Sequence, residues 1–419
     1  MSKQRLFSLL LVGGVAGLSL FASGGGQADA NASLVIQIGI LLFAVKLGGF
    51  MAQKLKLPGV LGELLIGVLL GPYALGGLPL PLFPHGLFAT GIIGASVPVS
   101  TELYALATIA SIILLFISGL ETDLTLFLRY SVAGAIVGIG GVVTTFLGGL
   151  LVGVLVFGGG FMDPQNLMLG VISTATSIGI SARILSERKK LDTPEGVTIL
   201  AAAVFDDVVG IVLLAVVLGI NAMATSGSGG PAWGQIGLIA LKAFGLWLIF
   251  TVLGLLFAKR IANFLKRFRR STAFTILAFG LALVIAGFFE KEGLAMIIGA
   301  YIMGLSLSKT DISHIIIEKM HVLYEFFVPI FFAVMGMLVD IRQFFDLRVL
   351  LGGLVFTAVA ILGKILGCGL PALFSGFNLK GSLRIGMGMV PRGEVVLIYW
   401  PASAWQPASC RPACLAWPS

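Results

Sequence analysis

TILAAAVFDDVVGIVLLAVVL, residues 198–218, is an apolar run long enough to cross a bilayer, and two adjacent aspartates, Asp206 and Asp207, stand near its middle. An aspartate at the bilayer centre costs roughly 2.5–3.5 kcal/mol on insertion scales, so two side by side persist only against an aqueous cavity or a buried cation. The rest of the chain reads as the housing for that pair.

Of the 419 residues 58% are hydrophobic and 11% charged, and the mean hydropathy is +1.07, which leaves too little polar side chain to coat a globular surface. Apolar runs of about 20 residues recur along nearly the whole length, the pattern of an all-α polytopic membrane protein. Lys and Arg (27) exceed Asp and Glu (19), but the basic residues gather in short loops between spans. That placement is the positive-inside bias and argues against a nucleic-acid partner. The cysteines, Cys368 within a span and Cys410 and Cys414 near the end, have no metal-ligand spacing. The 57 glycines suit closely packed helices with local breaks.

Residues 1–30 read as a signal peptide or one extra N-terminal helix. Lys3 and Arg5 precede an apolar stretch, and Ala28-Asp29-Ala30 is a small-residue cleavage site. Beyond it the alternation of basic loops predicts about twelve spans: 34–52, 58–75, 103–120, 132–157, 166–185, 198–218, 233–257, 273–289, 293–307, 326–339, 349–373 and 382–400. KRIANFLKRFRR, residues 259–270, reads as the most basic loop. Residues 311–325, with His314 and His321, read as an amphipathic cytoplasmic segment ahead of the tenth span.

Two of these spans look broken. The centre of 166–185 reads Ser173-Thr174-Ala175-Thr176-Ser177-Ile178-Gly179, and that of 382–400 reads Gly386-Met387-Gly388-Met389-Val390-Pro391-Arg392-Gly393-Glu394. Backbone freed at membrane depth is tolerated only where it lines a cavity or meets another helix. Either segment alone is explained by hydroxyls gluing helices and a proline kink. Interrupted helices in corresponding places of two halves, beside buried carboxylates, point instead to an inverted-repeat transporter with its site where the breaks cross.

Lys364 sits mid-span in AILGKILGCGL and needs an acidic partner, for which Asp206, Asp207, Glu394 and Glu63 lie at comparable depth. Neighbouring carboxylates point about 100 degrees apart around a helix, so only one of the aspartates faces the lysine. The other is left to bind a cation. A buried carboxylate among hydroxyl and carbonyl oxygens takes a small alkali ion or a proton in turn, and if only the loaded site crosses, exchange follows without covalent chemistry or a cofactor.

On these residues the chain resembles the bacterial monovalent cation:proton antiporters, specifically sodium/proton exchangers of the branch that also holds the glutathione-gated potassium systems. The resemblance runs from about Val35 to Ile398 through LGELLIGVLLGP (61–72), GLETDL, STATSIGISARIL (173–185), AAAVFDDVVGIV (201–212), FFVPIFFAVMGM (326–337) and GMGMVPRGEVVLI (386–398). It implies thirteen helices as two inverted six-helix repeats, here 34–219 and 273–400, joined by a linker helix at 233–257, and a homodimer in the bacterial inner membrane. It further implies that Asp207 carries the cation, sodium or lithium, and the proton. Asp206 would pair with Lys364, and Thr176 with its neighbours Thr174 and Ser177 would lie at the helix crossing. The paired aspartates resemble the electrogenic type, for which sodium or lithium is favoured over potassium.

Among the remaining charges, Arg392 and Glu394 read as an ion pair steadying the second break. Glu63 reads as an anchor for glycine-rich packing or a partner of a basic core residue. Lys46 and Lys242 carry no assigned role. The chain departs from the resembled pattern at 401–419, PASAWQPASCRPACLAWPS, which cannot cross a membrane; the expectation is a truncated or frameshifted end that leaves the second repeat one helix short. An intramembrane aspartyl protease is excluded because its aspartates stand on different helices, one in a GxGD sequence absent here. A solute symporter of similar architecture would leave Lys364 unexplained.

Overall fold

The computed structural model describes residues 26–79, 86–88, 98–226, 233–292, 294–345 and 347–392. Among them all regular structure is helical, as lipid requires, because a span with no water around it must satisfy its backbone internally. The helices are α1 (Gly26–Lys54), α2 (Gly59–Leu70), α3 (Thr101–Glu121), α4 (Leu124–Phe157), α5 (Pro164–Thr174), α6 (Ile178–Glu187) and α7 (Pro194–Ser226). They continue with α8 (Trp233–Lys266), α9 (Ser271–Lys291), α10 (Met296–Leu307), α11 (Ser313–Met337), α12 (Leu347–Phe374) and α13 (Leu379–Gly388).

Ten segments among the described residues are long and apolar enough to cross a membrane, with α5 and α6 forming one of them. The helix α10 occupies another expected position but covers only about 18 Å at 1.5 Å per residue, short of a hydrocarbon core of about 30 Å. The helix α13 begins the last expected span. Residues 1–25, most of the predicted leader, and 393–419, with the tail and Glu394, lie outside the described residues. Ala28-Asp29-Ala30 falls in the first turn of α1.

Two elements correct the expectations. The predicted basic loop is helical as far as Lys266, continuing the helix that begins at Trp233. Ala258, Ala262 and Leu265 form a buried stripe at helical spacing, so this stretch packs on one face while its basic residues take the other. Likewise 311–325 and 326–339 are not separate segments but lie largely within the single helix α11, which continues through Pro329. His314, Glu318, His321 and Glu325 recur at spacings of four, three and four, one polar stripe on that helix.

The helices pack in two groups. In one, α4 packs against α5, α7 and α12, and α13 against α7 and α12; in the other, α3 packs against α10 and α11, and α2 against α1 and α11. The short helix α6 lies on the seam, touching α7 on one side and α2 and α3 on the other. Close approach depends on glycine at particular points: a Cβ built on Gly67 of α2 would stand 2.0 Å from the Ala333 carbonyl oxygen on α11. Lys46 pairs with Glu325 at 2.8 Å and Lys242 with Glu292 at 2.7 Å, which accounts for both lysines within predicted spans. Asp123 caps α4 through the amides of Thr125 and Leu126, and the Leu126 bond foremost holds its carboxyl below the usual range.

Candidate functional site

The first predicted break is real. The helix α5 ends at Thr174, Ala175 turns out of helical geometry at φ −58° and ψ 130°, and α6 starts at Ile178. Hydroxyl side chains offer local hydrogen-bonding alternatives to the helical ladder, which is why four of them in five residues interrupt it. Ser177 takes the cap of α6, its Oγ accepting from the Ile180 amide at 3.3 Å. In the second segment α13 stops at Gly388, and residues 390–392 are not helical.

The two interruptions meet backbone to backbone. The Ser177 amide donates to the Pro391 carbonyl at 2.9 Å, the Thr176 hydroxyl to the Met389 carbonyl at 3.3 Å, and the Ser181 hydroxyl to the Gly388 carbonyl at 2.8 Å. Freed groups of one break are thus satisfied by the other, which is what irregular backbone at this depth needs. Arg392 closes the junction. Its guanidinium donates to the Ser173 carbonyl, to the Ala175 carbonyl at 3.4 Å and to the Ala360 carbonyl of α12 at 3.3 Å. The guanidinium therefore sits at the carbonyl end of α5, where partial negative charge favours a cation, and its partners are backbone oxygens.

Lys364 pairs with Asp206. Its Nζ lies 2.5 Å from Asp206 Oδ1, with side-chain exposures of 0% and 1%. Glu63 lies elsewhere, its Oε1 3.8 Å from Arg183 Nη2. Gly141 of α4 makes the space for the pair, since a Cβ there would stand 2.4 Å from Cys368 Sγ and 3.5 Å from Lys364 Nζ.

Asp207 is half-buried, unlike its neighbour. By helical rotation Gly210 projects between the directions of Asp206 and Asp207. A Cβ on Gly210 would lie 3.8 Å from Thr174 Oγ1, so this strip of α7 faces the end of α5 at the first break. Thr174, Thr176 and Ser177 are all buried there. The hydroxyl of Thr174 thus faces the strip of α7 that carries both aspartates, and the first of these pairs with a lysine.

Sequence reading missed three contributors. Thr145 on α4 receives the Ser173 hydroxyl on its carbonyl, Ser181 braces the second break, and Arg183 is buried between helices. Only Arg183 carried a signal, the single charge within the quoted motif of 173–185.

Among the described residues, ten segments long and apolar enough to cross a membrane, one of them broken at residues 175–177, mark an integral multi-pass membrane protein. Residues 39–402 match the family described as sodium/hydrogen exchanger, transmembrane, and the chain belongs to that family. It is 33% identical over 364 residues to the probable Na(+)/H(+) antiporter GerT of Bacillus cereus, covering 86% of this chain and 88% of that one. It is 32% identical to the Na(+)/H(+)-K(+) antiporter GerN of Bacillus cereus, covering 86% of each chain, and 32% identical to the high-affinity Na(+)/H(+) antiporter NhaS3 of Synechocystis sp., covering 88% and 82%. The fold is similar to that of the sodium proton antiporter MjNhaP1 from Methanocaldococcus jannaschii at pH 8, with TM-score 0.62 and 21% identity over 88% of this chain and 85% of that one.

Proposed function

We propose that this protein exchanges sodium or lithium for protons across the bacterial inner membrane by alternating access, moving more than one proton per cation. The observation that carries the reading is the division of labour on α7: Asp206 is neutralised by Lys364, and Asp207 stays half-buried on the side of α7 near the hydroxyls of the first break. A carboxylate at that depth, close to oxygen donors, takes a proton or a small cation in turn. Asp207 is the carrier in this reading. Thr174, Thr176 and Ser177 supply oxygen ligands, and Arg392 holds the breaks together. Glu63 serves as structural support.

The membership in an exchanger family and the names of the relatives support the same exchange. GerN, whose name includes potassium, favours a second reading in which potassium is also carried. The proposed organisation is two inverted repeats, 34–219 and 273–400, with α8 as linker, assembled as a homodimer in lipid; the two helix groups are consistent with a site-bearing part that moves against the other. The test is dissipation of an imposed pH gradient in proteoliposomes by added sodium, lithium or potassium. Sodium and lithium should dissipate it and Asp207→Asn should abolish the response. A wild-type response to none of the cations, or an intact one in the variant, overturns the assignment.

A further inference from the structure

A second buried charge cluster lies away from the Asp206–Lys364 pair, on the seam between the helix groups. Arg183 of α6 has only 7% of its side chain exposed, and Glu63 of α2 only 5%. The Arg183 guanidinium lies over the Tyr324 ring of α11, 4.9 Å from its centre, and Nε bonds to Glu187 Oε1 at 2.9 Å within the same helix. One turn on, the Ser186 hydroxyl donates to Glu121 Oε2 of α3 at 3.1 Å. Thus α6 is tied to α2, α3 and α11 by polar side chains, while its first residues are bonded to the second break through Ser177 and Ser181.

A buried ion pair is a poor device for raw stability, because desolvation offsets most of its attraction, but it fixes register well. The Arg183–Glu63 approach of 3.8 Å is longer than a hydrogen bond, and Glu63 Oε2 makes none among the described residues. Beside the guanidinium is a cavity of about 250 Å³ whose wall also includes Glu121, Glu325, His321 and Lys189. Further carboxylates are therefore within the same cavity as Arg183, so a shift of α6 would trade one partner for another rather than strand a charge.

We propose that Arg183 is a positioning residue that fastens the site-bearing helix α6 to α2 and α11, and that it exchanges carboxylate partners across this cavity when the two helix groups move. The movement rests on the alternating-access reading above; the fastening does not. Planarity matters, since a guanidinium can lie flat on Tyr324 while reaching carboxylates at its edge and an ammonium cannot.

The test uses spin labels at positions 54 and 190 of the full chain, with Cys368, Cys410 and Cys414 replaced by alanine, reconstituted in lipid nanodiscs. Pulsed dipolar distances in the parent should show one dominant population. Arg183→Gln should raise a second population by about fivefold or more, the lower end of typical coupling between states. Glu63→Gln should shift it in the same direction, and Arg183→Lys by less. These two milder variants decide the matter if Arg183→Gln does not fold. Distances unchanged in folded variants overturn the proposal. In vesicles of opposite orientation, Arg183→Gln should move the KM for sodium in opposite directions at the two faces, which a merely loosened fold would not do; equal changes at both faces overturn the partner exchange. A parent that carries no cation refutes the antiport reading instead, while the distances still decide the fastening.

Discussion

Removing either member of the Asp206–Lys364 pair should destabilise the protein more than removing both. Both side chains are at most 1% exposed, so the survivor cannot recover its solvation from water. Breaking a buried pair from one side typically costs about 3–5 kcal/mol.

The double variant Asp206→Asn with Lys364→Met, which leaves no orphan, should be less destabilised than either single one. Thermal unfolding of the purified protein, followed by fluorescence-detected size exclusion, measures all three. Losses below about 1 kcal/mol for both single variants, or a double variant less stable than either, would refute the buried-pair reasoning.

Other substitutions test the remaining parts of the account. Arg392→Ala leaves the carbonyls of Ser173, Ala175 and Ala360 without their donor and should cost about 2–4 kcal/mol, readable as a lowered unfolding temperature, with Arg392→Lys recovering part of the loss. Gly67→Ala places a methyl against the Ala333 carbonyl and should cost about 1–3 kcal/mol in the same assay. Asp123→Ala should cost about 1 kcal/mol and Asp123→Asn less, because asparagine still caps α4. Thr176→Val removes one hydroxyl of the proposed ligand set while keeping the shape, and should raise the KM for sodium more than it lowers the maximal rate.

Much of this arrangement was legible in the residues. Charges and breaks in apolar runs are costly, so Asp206, Asp207, Lys364 and both interruptions stood out as needing explanation, and the structure brings the breaks together and pairs Lys364 with Asp206. Depth alone allowed four partners for Lys364; the pairing with Asp206 required the packing of α12 on α4. The carbonyl partners of Arg392 were not legible, because sequence spacing reveals charges but not carbonyls released from another helix; Glu394, its expected partner, lies outside the described residues. The limits of α8 and α11 were misjudged where polar residues follow helical periodicity. A basic or amphipathic stripe then looks like a loop or a surface segment until its buried face is seen.

Competition for Asp207 is the centre of the account, and proton release measures it most directly. Sodium added to the purified, weakly buffered protein near the pH of half-loading should expel protons into the medium, in amounts that saturate with sodium and fall as the pH is raised or lowered. Asp207→Asn should release none. Release that persists undiminished in that variant, or sodium binding by the wild type with no proton expelled at any pH, would contradict it.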